Sequence, residues 1–480
     1  MKLRADTGLS FDDVLLVPRR STARSRKDVS TRTRLAAGIE LAIPIISANM
    51  DTVTESRMAI AIAQQGGLGI LHRFMSIARQ VEMVRRVKRA ENMVVEDPVT
   101  LPPETTVDQA RQKMAEYEVG GLMVTDTAGI LIGLVSTRDV LLAPDGGAPV
   151  SLVMTPRERL VVADASETME QARQALHAHR VEKLPLVDTN GRLVGLITTQ
   201  DIVKIQEHPD ATKDERGRLM VGVAIGVRPA DMDRAAACVE ADADVLVVDI
   251  AHGHSEHTLE MVRKLKRAFP GLPVIAGNVA TADGVRDLAE AGADAVKVGV
   301  GSGSICITRV VTGFGVPQLT AISDCSAAGR QLGIPIIADG GIRTSGDLTK
   351  AVAAGASTVM VGSMLAGTDE SPGAPIVRDG RRFKVVRGMA SLTANIERRS
   401  IDQGEVADEE WAEVVPEGVE AMVPYRGAVR DILHQLVGGL RSGLSYAGAK
   451  NIEDLWDKAE FIQITAGGLR ESGAHDVITG

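Results

Sequence analysis

The sequence predicts an α/β protein: a (β/α)8 TIM barrel with a second, smaller domain inserted into it. Three observations point there. Eight short apolar runs alternate with helical stretches, their spacing breaks once between residues 73 and 221, and the chain inside that break repeats itself.

The runs are IPIISAN (43–49), GLGILHR (67–73), VGVAIG (221–226), VLVVDIA (245–251), PVIAGNV (273–279), AVKVGV (295–300), PIIADGG (335–341) and TVMVGS (358–363). Val and Ile fill them without polar alternation, as in strands buried on both faces, and such strands belong to parallel sheets covered by helices. Eight of them close a barrel, whose chemistry sits where the strands end. The small and polar residues that close each run are therefore the candidates for a site.

Barrel residues are expected at 1–93 and 208–480, and the insert at 94–207. Within the insert TVDQARQKM (106–114) returns as TMEQARQAL (168–176), VGGLMVTD (119–126) as VEKLPLVD (181–188) and GLVSTRDV (133–140) as GLITTQDI (195–202), all at one offset of 62 residues. A repeat at fixed offset marks two copies of one supersecondary unit, here helix, two short strands and helix. By itself it fits a structural spacer as well as a ligand-binding pair. After the last strand, residues 372–430 hold the hairpin-like RDGRR and the acidic EVADEEWAEVVPEGVE, and a loop of that length over a barrel mouth suits a lid.

At 480 residues the chain suits two or three domains. A net charge of −9 and 2% aromatics leave neither the basic surface nor the stacking platforms that nucleic acids require, so a small molecule is the expected partner. No run approaches the ~20 apolar residues of a membrane span, and MKLRADTGLSFDD at the start lacks a signal-like apolar core. No membrane partner and a cytoplasmic location are expected. Cys238, Cys306 and Cys325 are odd in number and not spaced as metal-ligand pairs, which fits a reducing compartment.

Cys306 lies in GVGSGSICITR (299–309), a glycine-rich loop after the sixth run. A lone cysteine serves as a small buried apolar side chain or as a nucleophile, and the loop's place at a strand end favours the second. Its glycine carbonyls offer a ring for a monovalent cation. ADGG (338–341) and VGS (361–363) end the last two runs, where barrels bind phosphate through backbone N–H groups, although Gly-Gly is also ordinary turn chemistry. Asp339 and Asp249 are placed to accept sugar hydroxyls. DIAHGHSEH (249–257) clusters three histidines without the helical spacing or matched ligands of a zinc site.

Longer stretches carry a resemblance. LSFDDVLLVP (9–18), SANMDTVTESRMAIAIAQQGGLGILH (47–72), GNVAT (277–281), KVGVGSGSICITR (297–309), GVPQLTA (315–321), ADGGIR (338–343) and RGMASL (387–392) together resemble the IMP dehydrogenase and GMP reductase family along essentially the whole chain. The resemblance implies a purine nucleotide substrate (GMP or IMP), NADPH or NADH as cofactor, and Cys306 as the nucleophile toward C2 of the purine. It implies Thr308 and Glu417 as the proton-handling pair, and potassium at the carbonyls of Gly301, Gly303 and Cys306. Ser304, Gly341, Gly362 and Ser363 would hold the phosphate, Asp339 the ribose, and Gly388, Met389 and Ala390 the purine edge. Asp249 and Asn278 would hold the cofactor. The insert resembles paired CBS modules, in which Thr137, Asp139, Thr199 and Asp201 would bind ATP or GTP as regulators. A homotetramer or octamer is the implied assembly.

Two activities share this covalent chemistry. The dehydrogenase must hydrolyse its intermediate and uses an Arg-Tyr pair in the lid, whereas residues 393–416 contain Arg398 and Arg399 but no Tyr. The expected activity is therefore reductive deamination of GMP, with oxidation of IMP as the alternative. Two positions depart from the family pattern: Arg73 stands where a Lys is expected, and Val386 where a Tyr would help hold phosphate.

Overall fold

Each apolar run forms a strand of one closed barrel. The strands are β1 (Ile45–Ser47), β2 (Leu68–Leu71), β3 (Val221–Ile225), β4 (Val245–Asp249), β5 (Val274–Val279), β6 (Ala295–Val298), β7 (Ile336–Asp339) and β8 (Thr358–Val361). All eight pairings are parallel, and the ring closes where Val359 pairs with Ile45. Val221 pairs with Gly69, so β2 and β3 are neighbours despite the insertion between them. The (β/α)8 expectation is borne out strand by strand.

This computed structural model describes residues 3–91, 95, 98–117, 119–164, 169–396 and 415–473, with residues 169, 201, 204 and 205 described by backbone alone. Arg398, Arg399 and the stretch 405–414 thus lie outside the described residues. Among those described, no helix is long and apolar enough to cross a membrane.

Two apolar layers hold the barrel. Alternate strand residues pack inward, Ile70, Val247, Ile275, Ile337 and Met360 among them, and are joined by Leu35, Ile39 and Leu41 of the hairpin Thr33–Ala36/Ile39–Leu41. That hairpin stands at the N-terminal strand ends, where Thr33 Oγ1 donates to the carbonyl of Ser357 just before β8. The other strand residues pack outward against the helices, such as Ser56–Gln64, Gln318–Leu332 and Val429–Ala447. With both strand faces buried, alternation is absent from the sequence for a physical reason.

Beyond β8 an antiparallel sheet is formed by Ile376–Arg378, Arg381–Arg387 and Glu420–Pro424. Its first turn is the Asp379-Gly380 pair of RDGRR, both with positive φ (49° and 72°). Arg387 ties this sheet to the barrel, its Nε donating to Asp51 Oδ2 at 2.7 Å in the loop after β1. Val386 is wholly buried in the core.

A second compact unit comprises residues 91–209 and 215–218, the first comprising the rest of the chain. Its elements obey the repeat: helices Val107–Glu116 and Met169–His179, strands Gly121–Thr125 and Lys183–Val187, strands Leu131–Ser136 and Leu193–Thr198, and helices Thr137–Leu142 and Thr199–Glu207. Each of these four elements of the second copy starts 62 residues after its counterpart. The copies meet reciprocally, Leu131 N–H donating to the carbonyl of Gly191 and Leu193 N–H to that of Gly129, with Met123, Leu134, Val187 and Leu196 packed in a shared cluster.

Candidate active site

The glycine loop after β6 brings Cys306 to the C-terminal face of the barrel. Gly299 leaves the strand with φ +152°, and a Cβ there would strike the carbonyl of Asp339, so only glycine allows β6 and β7 to end this close together. Cys306 is half-buried, whereas Cys238 and Cys325 are fully buried in the outer core. Burial pushes the Cys238 thiol up to about 11 and the Cys325 thiol up to about 12. Neither has a thiolate to offer near neutrality, and the thiolate is the nucleophile.

Thr308 starts the short helix Thr308–Thr312. Its hydroxyl donates to Glu417 Oε2 at 2.8 Å, and its oxygen lies 3.1 Å from Cys306 Sγ. A threonine hydroxyl has a single proton. With that proton given to Glu417, the oxygen can only accept from the thiol, so the three groups form a directed path for a proton from sulfur to carboxylate.

Glu417 reaches this position because three segments pack backbone to backbone. Ile307 N–H donates to the carbonyl of Glu417, Val419 N–H to that of Ile305, Gly388 N–H to that of Val419, and Glu417 N–H to that of Ala390. Gly418 lies in the middle; a Cβ there would stand 3.1 Å from Ser391 N and 3.2 Å from the Gly388 Cα. The Gly388–Met389–Ala390 turn is thereby held against the cysteine loop.

Beside the loop is a cavity of about 260 Å³. Ser304, Asp339, Gly341, Gly362 and Ser363 all line it, and Phe11 and Met50 supply apolar wall. Gly340 and Gly341 both have positive φ (100° and 82°), a turn that β7 enters only with glycine. Gly303 lines the cavity as well, and its carbonyl accepts the Cys306 N–H at 3.1 Å. Gly301 has φ +73° and packs under the Arg309 side chain.

Under the cavity lies an arrangement that the sequence reading passed over. Lys297 of β6 is 1% exposed, yet its Nζ lies 2.7 Å from Asp249 Oδ1 and 3.0 Å from Asp339 Oδ2. Burial opposes its charge, but the two carboxylates outweigh burial and hold its pKa above the usual lysine value. Burial likewise opposes ionisation of Asp249, and it is overcome by Lys297, by the 2.7 Å hydrogen bond from Asn49 Nδ2 and by the charge of Arg73, so its carboxyl stays below the usual range. Asn278 donates through Nδ2 to Asp339 Oδ2 and to the carbonyl of Gly299, both at 2.9 Å, leaving Oδ1 buried with no hydrogen-bond partner. Asp249, Asn278 and Asp339 are therefore one cluster.

The remaining expectations fall elsewhere. His254 pairs with Asp287 at 2.7 Å, and among the described residues no group of three or more His, Cys, Asp or Glu is placed to share a metal ion. In the second unit Asp139 Oδ2 accepts both the N–H and the hydroxyl of Ser136 at 2.7 Å, closing the cap of helix Thr137–Leu142. Thr199 Oγ1 donates to the carbonyl of Glu182 at 3.3 Å, and the side chain of Asp201 lies outside the description.

Residues 8–475 match the family model described as "IMP dehydrogenase / GMP reductase domain". The chain is 52% identical over 472 residues to an inosine-5′-monophosphate dehydrogenase of Nitrosopumilus maritimus, covering 98% of each. It is 50% identical over 479 residues to a GMP reductase of Leishmania major, covering 98% of this chain and 97% of that one. A crystal structure of a Trypanosoma brucei GMP reductase variant in complex with guanosine 5′-monophosphate superposes with a TM-score of 0.93 at 47% identity, covering 98% of each chain.

Proposed function

Because the chain belongs to the IMP dehydrogenase and GMP reductase family and is thus an oxidoreductase, we propose that it is a GMP reductase: GMP + NADPH + 2 H⁺ → IMP + NADP⁺ + NH₄⁺. The observation that supports the covalent chemistry of this reading is the path Cys306–Thr308–Glu417, with steps of 3.1 and 2.8 Å. Cys306 passes its proton through Thr308 to Glu417 and forms a bond to C2 of the purine. Glu417 then returns the proton through Thr308 to the amine on C2, and ammonia leaves as the C2–N bond breaks. Splitting a displacement at an aromatic carbon into two steps lowers each barrier. Bound reduced nicotinamide supplies hydride to C2, with NADH as the alternative carrier. The C2–S bond then breaks, freeing Cys306 for the next turnover.

Ser304, Gly341, Gly362 and Ser363 would hold the phosphate, Asp339 the ribose and the Gly388–Ala390 turn the purine edge. For the cofactor, the orphaned Asn278 Oδ1 is an acceptor suited to a hydroxyl or amide donor, and Asp249 offers a carboxylate beside it. Carbonyls at Gly301, Gly303 and Cys306 are donors of the kind that replace potassium's hydration shell. The second unit would be a CBS pair binding ATP or GTP near Thr137, Asp139, Thr199 and Asp201, in a cytoplasmic homotetramer or octamer.

The choice of reductase over dehydrogenase rests on residues 393–416, which contain no Tyr and so no Arg-Tyr pair to activate water. IMP dehydrogenase is the second reading, favoured by relatives of that name at 52% identity. Purified protein given GMP and NADPH should oxidise the cofactor and release one ammonia per NADPH. Activity confined to IMP with NAD would replace the first reading by the second.

A further inference from the structure

The ammonium of Lys297 has two strong acceptors, Asp249 Oδ1 and Asp339 Oδ2, and one weak one, Met360 Sδ at 3.7 Å. The carboxylate side chains are 23% and 22% exposed and the lysine side chain 2%, so a ligand in the mouth reaches the acids but not the base between them. One acid ends β4 and the other ends β7. We propose that Lys297 is a positioning residue coupling the cofactor site to the nucleotide site, by fixing with one buried ammonium the two carboxylates that accept the two ribose diols. The proposal rests on the assignment of Asp249 to the cofactor and Asp339 to the nucleotide given above.

An ionised carboxylate accepts at both oxygens, whereas a protonated one becomes a donor and loses that geometry. Two acids this close in a desolvated site raise one another's pKa unless a cation lies between them. The charged groups facing Asp249 are Lys297 on β6 and Arg73 after β2, with Asn49 after β1; those facing Lys297 are Asp249 and Asp339. Without Lys297, burial drives the Asp249 carboxyl upward, and the ribose-accepting form disappears as pH falls through that raised value. The acid limb of the cofactor's kcat/KM profile must then move to higher pH.

The test is Lys297→Gln, which retains a hydrogen-bond donor and removes the charge, assayed across pH with GMP and NADPH beside a melting curve. The expected result is an acid limb moved up by about one unit or more, with KM for both ligands raised about tenfold or more, the range of a lost charged hydrogen bond, and kcat changed less. An unmoved limb with both KM values unchanged overturns the proposal, even if the melting temperature falls, because a packing role predicts that pattern. If Lys297→Gln does not fold, Asp249→Asn is compared with Asp249→Asn/Lys297→Met, in which no carboxylate at 249 is left unpaired. A further rise in the KM for GMP in the double variant supports coupling through Asp339; an equal KM refutes it. Should wild-type protein oxidise no NADPH with GMP, the reaction assignment fails, and the same comparison with IMP and NAD still decides the role of Lys297.

Discussion

Thr308 and Glu417 are separated by more than a hundred positions in the chain, yet the hydroxyl of one donates to the carboxylate of the other at 2.8 Å. This contact exists because Glu417 and Gly418 lie antiparallel to the cysteine loop, Gly418 opposite Cys306. The chemistry proposed for Cys306 is therefore tied to a segment that leads into the sheet beyond β8.

Removing either end of that contact should slow proton transfer without emptying the site. Glu417→Gln and Thr308→Ala are each expected to lower kcat by about 10²–10⁴, the usual worth of general acid–base catalysis, while the Kd for GMP changes little. A steady-state assay paired with equilibrium GMP binding checks this; equal losses in both would make the pair a binding element.

Thiol chemistry separates the three cysteines. With the Cys238 and Cys325 thiols pushed up to about 11 and 12 by burial, an alkylating reagent at neutral pH should label the folded protein once, at Cys306, and GMP should protect it. Peptide mass spectrometry reads the position. Cys306→Ala should show no label, no turnover and retained GMP binding.

Gly418→Ala tests the backbone packing. The added methyl would meet Ser391 N at 3.1 Å and the carbonyl carbon of Ala390 at 3.3 Å, so the Glu417–Gly418 segment and the Gly388–Ser391 turn must move apart by a few tenths of an ångström. Because misplacement by about 1 Å can cost 10²-fold in rate, kcat should fall by about tenfold while the melting temperature stays near that of wild type. Unchanged kcat would show that Glu417 tolerates a looser loop.

The fold was legible because its signals are local. Buried strands show unbroken Val/Ile runs, and the second unit announces itself by an offset that both helices and both longer strands of each copy keep. Cys306 was legible from its glycine company. Lys297 was not: within AVKVGV it reads as one polar residue in a buried strand, and its meaning depends on Asp249 at the end of β4 and Asp339 at the end of β7. Gly418 was equally silent, since a single glycine gives no sign of the backbones that crowd it. The Asp139 carboxylate was marked as a nucleotide ligand from a motif, and the structure adds the capping box it closes with Ser136.

Replacing residues 91–209 by a short linker should preserve catalysis, since Cys306, Thr308, Glu417, Lys297 and the cavity all belong to the first unit. Regulation by purine nucleotides should vanish with the insert, because an effector can shift activity only through a site that binds it. Initial rates with and without ATP or GTP decide the point; a truncated protein that responds as the full chain does would move the regulatory site into the barrel.

The direction of the reaction is the central claim, and product formation from IMP and NAD tests it most directly. Reduced cofactor and XMP are quantified per subunit after rapid mixing, over times long enough for many turnovers. With no Arg-Tyr pair in residues 393–416 to activate water, oxidation should stop at no more than one reduced cofactor per Cys306, with XMP release at a trace. Linear XMP accumulation over many equivalents would contradict the account and make the protein a dehydrogenase.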